Sequence, residues 1–133
     1  MIDITKLFCG KETQADALRY GEGAGAAKTA AERRPVVVWN MTRTCNLRCI
    51  HCYTDSENKK YSGELTKDEG RRMIDDLAAF KIPALLFSGG EPLMHPELFE
   101  LAEYARSLGI RPTLSTNGNL ITPAIAQKLK ATG

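Results

Sequence analysis

Neither sign of charge dominates this chain: 18 Lys and Arg stand against 16 Asp and Glu, a formal net charge of +2. That balance argues against a dedicated nucleic-acid binder, which carries a concentrated basic stripe, and it implies no strong electrostatic partner. A run of eighteen apolar residues is missing, and the N-terminus has no signal-peptide pattern, so the expectation is a soluble cytoplasmic protein that does not enter a membrane. The length, 133 residues, suffices for one hydrophobic core but falls short of two ordinary domains. No internal repeat is evident beyond an alternation of strand-like and helix-like segments.

Cysteine is scarce too, four in all, yet three of them crowd into Cys45-Asn46-Leu47-Arg48-Cys49-Ile50-His51-Cys52. Without a signal sequence, so tight a cluster points to metal or cluster binding and away from a disulfide framework. Cys9 lies far off in sequence and reads as an ordinary thiol, not a fourth ligand. The spacing of Cys45, Cys49 and Cys52 also fits one face of a helix, but a straight helix would spread the first and third by about 10 Å along its axis. A curled loop can bring the three thiolates together, and thiolates are what hold iron–sulfur clusters. Three ligands on a four-iron cube leave one iron open. Zinc is the competing occupant, completed by His51 or a distant ligand, although His51 is wedged between two of the cysteines.

Residues 1–34 read as an N-terminal extension and linker, with Ile2, Ile4, Leu7 and Phe8 as a short docking segment and Gly21 to Ala27 as a flexible stretch. From residue 35 to 133 the pattern tightens. Val36 to Met41 is a β-branched apolar run expected to form a parallel strand buried on both faces, and the cysteine loop follows it. Thr66-Lys67-Asp68-Glu69 forms a capping box, and Met73, Ile74, Leu77 and Ala78 give the ensuing helix its apolar face. Ala84 to Ser88 is a second strand, ended by Gly89-Gly90-Glu91-Pro92. Pro96 suits the first turn of a second helix; Leu98, Leu101, Ala102, Ala105 and Leu108 line its buried side, and Gly109 stops it. A third strand over Pro112 to Ser115 ends at Thr116-Asn117-Gly118, and Thr122-Pro123 opens a third helix with Ile125 and Leu129. Three strand–helix units with short connections predict an α/β fold with a parallel sheet. Each motif falls at the C-terminal end of a strand, where such folds place ligands.

Taken singly, Gly89-Gly90-Glu91-Pro92 is explained by an ordinary turn. The glycines also permit close backbone approach to a ligand, and Pro92 biases Glu91 towards an extended conformation, leaving its oxygens able to meet an ammonium group. Ser115-Thr116-Asn117-Gly118 is less specific, since Asn-Gly is a common turn dipeptide. Arg43 and Arg48 flank the cysteine loop, where they either act on the cluster or an anionic substrate or are solvated surface groups.

The CxxxCxxC spacing followed thirty-seven residues later by Gly-Gly-Glu-Pro resembles the radical S-adenosylmethionine (SAM) superfamily. The resemblance implies a [4Fe–4S] cluster on Cys45, Cys49 and Cys52, whose open iron is chelated by SAM. One electron then cleaves SAM to methionine and a 5′-deoxyadenosyl radical, which abstracts hydrogen from the substrate. It further implies that His51 packs near the adenine, that Gly89, Gly90, Glu91 and Pro92 bind the methionyl amine, and that Ser115 and Asn117 lie near SAM or substrate. A low-potential electron donor is implied as partner; no catalytic side chain is singled out. The segments Ile4 to Gly10, Ala17 to Gly21 and Pro35 to Thr42 are similar to the deacetylase family of the alternative haem pathway, which removes two acetate side chains from the tetrapyrrole 12,18-didecarboxysirohaem. The haem d1 biosynthesis family shares the Val-Val-x-Trp-Asn strand and the Cys-Asn-Leu loop. Maturases of peptides or cofactors, and a cluster- or zinc-holding scaffold without turnover, are the remaining alternatives. Since radical SAM cores usually have six βα units, residues 35–133 are expected to be the N-terminal half of a partial (β/α)6 barrel, incomplete at its C-terminal side.

Overall fold

The computed structural model describes residues 34–132, which belong to a compact unit beginning at Arg34. The expectations for Ile2 to Phe8, for Cys9 and for the glycine-rich stretch lie outside the described residues. Strands β1 (Val37–Thr42), β2 (Ala84–Gly89) and β3 (Arg111–Leu114) form one parallel sheet in the order β1-β2-β3. Val38 pairs with Leu86 and Leu86 with Thr113, and the register of β1 slips between Asn40 and Thr42. Helix α1 (Lys67–Ala79) links β1 to β2, α2 (Leu98–Ser107) links β2 to β3, and α3 (Pro123–Thr132) follows β3. Among the described residues no helix is long and apolar enough to cross a membrane.

The core lies between one face of the sheet and the helices. Met41, Leu85 and Phe87 from the strands meet Ile74 of α1 and Leu98, Leu101 and Ala105 of α2. Trp39 sits with its ring 5.8 Å from that of Phe87, tilted by 46°. It also packs over Gly70 of α1, where an added Cβ would lie 2.9 Å from the indole; a larger residue there would require the Trp39 ring or the helix to shift.

The two long connections end their helices alike. Gly109 follows α2 at φ 82°, donating to the Arg106 carbonyl while Ile110 N–H returns to Ala105. Lys81 follows α1 at φ 63°, donating to Ala78 while Ile82 returns to Leu77. Both are left-handed terminations, a conformation that suits glycine better than lysine.

Three expectations need correction. β1 is not buried on both faces: Val36 is 59% and Val38 54% exposed, because the helices cover only the side carrying Trp39 and Met41. Pro96 lies in a turn before α2, not in its first turn, because Pro92–Met94 already form a short 3-10 turn and α2 begins at Leu98. Leu108 caps α2 and is 41% exposed, since the chain turns away there into Gly109.

The capping box of α1 is complete: Thr66 Oγ1 accepts from Glu69 N–H at 3.4 Å, and the Glu69 carboxylate accepts from Thr66 N–H at 2.9 Å. The Thr66 donors also hold the Glu69 carboxyl below its ordinary range. Thr66→Ala is expected to destabilise the protein by about 1 kcal/mol, read from the midpoint of urea unfolding. Because the folded carboxyl is depressed, the contribution of Glu69 is present above its unfolded pKa and is lost as pH falls through the folded one. The penalty of Thr66→Ala should accordingly shrink in acid.

Candidate functional site

The C-terminal ends of the three strands release three loops onto one edge of the sheet, and backbone bonds join the first two. After β1, the carbonyls of Thr42 and Thr44 accept from Gly90 N–H at 2.7 Å and Glu91 N–H at 2.9 Å. This contact is why the turn after β2 is Gly-Gly. Gly89 has φ 126°, and a Cβ there would stand 2.2 Å from the Thr42 oxygen. Gly90 has no such strained angle, yet its Cβ would lie 2.5 Å from the Thr44 oxygen and 2.8 Å from that of Arg43. The close backbone approach anticipated for these glycines is thus made, in the described residues, to the chain's own β1 exit.

Glu91 joins the second loop to the third. Its side chain is completely buried, and its oxygens accept from Leu93 N–H at 2.9 Å, the Thr116 hydroxyl at 2.7 Å and Asn117 N–H at 2.8 Å. A buried carboxylate persists only when its oxygens are met by donors, and here three converge. Asn117 then reaches back to the first loop: its amide nitrogen donates to Asn46 Oδ1 at 2.9 Å and lies 3.9 Å from Cys45 Sγ. Pro92 is buried as the first residue of the 3-10 turn. Ser115 is exposed, with its N–H bonded to the Phe87 carbonyl at 2.9 Å.

The cysteine loop is clamped from its far side. Cys45 N–H donates to the Glu57 carbonyl at 3.1 Å, and Thr44 Oγ1 to that of Lys59 at 2.8 Å. Arg43 donates to the carbonyls of Thr54 and Asp55 at 3.2 and 3.1 Å and stacks 4.4 Å above the Tyr61 ring. Arg48 pairs with Glu57 at 3.3 Å. Lys59, bonded to Glu57 at 2.6 Å, is the main reason that carboxyl sits below its usual range, with Arg48 adding to the effect.

All three cysteines of the loop are free thiols: Cys45 buried, Cys52 half-buried and Cys49 exposed. Cys45 Sγ accepts from Leu47 N–H at 3.4 Å. Cys52 Sγ is 3.3 Å from Thr54 Oγ1 and 3.5 Å from Ser56 N. These bonds, Thr54 first, bring the Cys52 thiol down to about 7, towards the thiolate that ligation requires. Among the described residues no group of three His, Cys, Asp or Glu side chains is drawn together as ligands of a single ion. Three free thiols on one loop are the donor type that an iron–sulfur cluster takes. His51 is exposed on the loop and is not among the residues that the hydrogen bonds draw together.

Several residues that organise this edge gave no advance sign. Thr116 lay unremarked inside a turn motif, although a hydroxyl beside Asn-Gly was a visible hint. Glu64, whose carboxylate accepts from the Thr42 hydroxyl at 2.8 Å and Arg43 N–H at 2.9 Å, sits in a polar stretch with no pattern to mark it. Thr54 and Ser56 look like ordinary loop residues. For the turn itself the expected outcome is definite. Gly90→Ala should cost about 1–3 kcal/mol in urea unfolding, the usual penalty of forced overpacking, because the new methyl meets backbone oxygens that cannot swing aside.

The family model described as the radical SAM superfamily matches residues 39–133. The chain is 49% identical over 138 residues to Fe-coproporphyrin III synthase of Methanosarcina barkeri, covering 100% of this chain and 35% of that protein. It is 46% identical over 107 residues to AdoMet-dependent heme synthase of the same organism, covering 80% of this chain and 30% of the relative. Against pre-heme d1 synthase of Dinoroseobacter shibae it is 47% identical over 100 residues, covering 75% and 25%. The chain therefore spans about a third or less of the length of these relatives. Among solved structures, BtrN in complex with AdoMet and 2-DOIA aligns with a TM-score of 0.64 at 21% identity, over 76% of this chain and 44% of that one, which establishes a shared fold. Native anSMEcpe with bound AdoMet aligns with a TM-score of 0.56 at 28% identity, over 72% and 29%. The parallel three-stranded sheet is accordingly part of a radical SAM barrel, and the chain belongs to the radical SAM superfamily.

Proposed function

We propose that this chain carries the cluster- and SAM-binding half of a radical SAM enzyme of haem biosynthesis, acting on a tetrapyrrole by removing acetate side chains from 12,18-didecarboxysirohaem to give iron-coproporphyrin. The observation that carries the reading is the edge where three loops meet: Glu91 and Asn117 tie the Gly-Gly turn to a loop with three free thiols. Cys45, Cys49 and Cys52 would hold a [4Fe–4S] cluster. His51, Gly89, Gly90, Glu91, Pro92, Ser115 and Asn117 would surround SAM. Together the two groups supply, when bound, a 5′-deoxyadenosyl radical for hydrogen abstraction.

Within this site Glu91 works by holding. Its oxygens are already engaged by Leu93, Thr116 and Asn117, so it keeps the Gly89-Gly90 turn in register with the third loop and with Cys45. The tetrapyrrole reading is supported by the names and similarity of the haem-pathway relatives. Its carboxylates call for several cationic or amide donors, and a low-potential electron donor would complete the system. Anaerobic reconstitution with iron and sulfide is expected to load about one four-iron cluster per chain. Cys45→Ala, Cys49→Ala or Cys52→Ala should abolish it and Cys9→Ala should not; normal iron content in Cys49→Ala would remove the ligand assignment.

The substrate is tested separately. A protein extending this chain to the length of its relatives should convert didecarboxysirohaem anaerobically, consuming SAM and releasing 5′-deoxyadenosine. Conversion of a haem d1 precursor instead would assign the chain to the second haem branch, for which the similarity to pre-heme d1 synthase speaks.

A further inference from the structure

The donors around the cysteine loop are unevenly shared. Cys52 Sγ has the Thr54 hydroxyl at 3.3 Å and Ser56 N at 3.5 Å, and Thr54 Oγ1 is itself 2.6 Å from Ser56 Oγ. When Cys52 ligates iron as a thiolate its sulfur can only accept, so in that state the Thr54 hydroxyl gives its single proton to sulfur. Its oxygen is then free to accept, and the Ser56 hydroxyl must be the donor. The direction of the chain is thereby set, from Ser56 to Thr54 to Cys52. Ser56 is 3% exposed, so water competes little for its proton. Arg43 holds the frame, through the carbonyls of Thr54 and Asp55 and its stack on Tyr61. Asp55, between the two hydroxyl residues, takes a left-handed φ of 48°, which lets Ser56 fold back towards the Cys52 sulfur.

We propose that the Ser56–Thr54 hydroxyl relay is a redox-tuning element: by donating to the Cys52 sulfur, Thr54 raises the reduction potential of a cluster held by this loop. The inference rests on the cluster reading above. Reduction brings one electron to the cluster and increases the negative charge on its sulfurs. A hydrogen bond donated to sulfur is stronger to the more negative, reduced state, and such bonds are among the determinants of cluster potential. Ser56 adds to the effect because a hydroxyl that accepts a bond becomes a better donor. Thr54 and Ser56 are positioning residues, acting on the cluster through Cys52.

The test is an EPR-monitored redox titration of the full chain, reconstituted anaerobically with iron and sulfide and without SAM, with iron content measured in parallel. Thr54→Val keeps the shape and removes the donor; its midpoint should fall by about 59 mV, a tenfold change in the one-electron equilibrium. Ser56→Ala should shift the midpoint in the same direction by less, and Thr54→Ser should restore the wild-type value. A Thr54→Val chain with full iron and an unchanged midpoint overturns the proposal. Should that variant fail to take up iron, Ser56→Ala decides, and no shift there overturns it equally. A wild-type chain that assembles no cluster refutes the cluster reading and the relay with it, which separates the two failures.

Discussion

The arrangement at the sheet edge depends on one buried carboxylate. Glu91 has no exposed surface, and the donors it meets come from its own turn and from the loop after β3. A buried charge left without donors is costly, so the carboxylate and its three donors hold one another in a single geometry. Asn117, positioned by that bond, is what brings the third loop onto Asn46 and towards Cys45.

The second constraint is steric. Gly89 and Gly90 lie so close to the Thr42–Thr44 backbone that any Cβ would meet a carbonyl oxygen. The slip in register between Asn40 and Thr42 lets the chain leave the sheet where those carbonyls face the turn. Both features belong to the link between packing and site: the glycines bring the two exits together, and Glu91 then fixes the third.

The cysteine loop shows how a segment without regular secondary structure is kept in place. Its second half folds back on its first through Glu57, Lys59 and the Arg43 stack on Tyr61. Arginine suits this task because its planar group can donate in two directions and stack at once. The ion pairs at Glu57 are partly exposed and add little by themselves; the backbone bonds carry the fold of the loop.

Periodicity and local chemistry were enough to read the strand–helix alternation, the box at Thr66 and the stop at Gly109, since each depends on near neighbours in the chain. The CxxxCxxC spacing and the Gly-Gly-Glu-Pro turn, taken in order, were enough to recognise the family. The bonds from Glu91 to Thr116 and Asn117 span 25 and 26 residues, and nothing local marks either end as a partner of the other. The same holds for Glu64 with Thr42 and for the exposure of Val36 and Val38, which depends on what covers that face of the sheet. The sequence by itself determined which groups are available and the order of the elements that carry them, because helix, strand and turn preferences act over a few residues. Only the tertiary structure decided that Gly-Gly meets the exit of β1, that Glu91 is a tie between loops and that Asn117 reaches Asn46, because those contacts exist only once parallel strands set distant loops side by side.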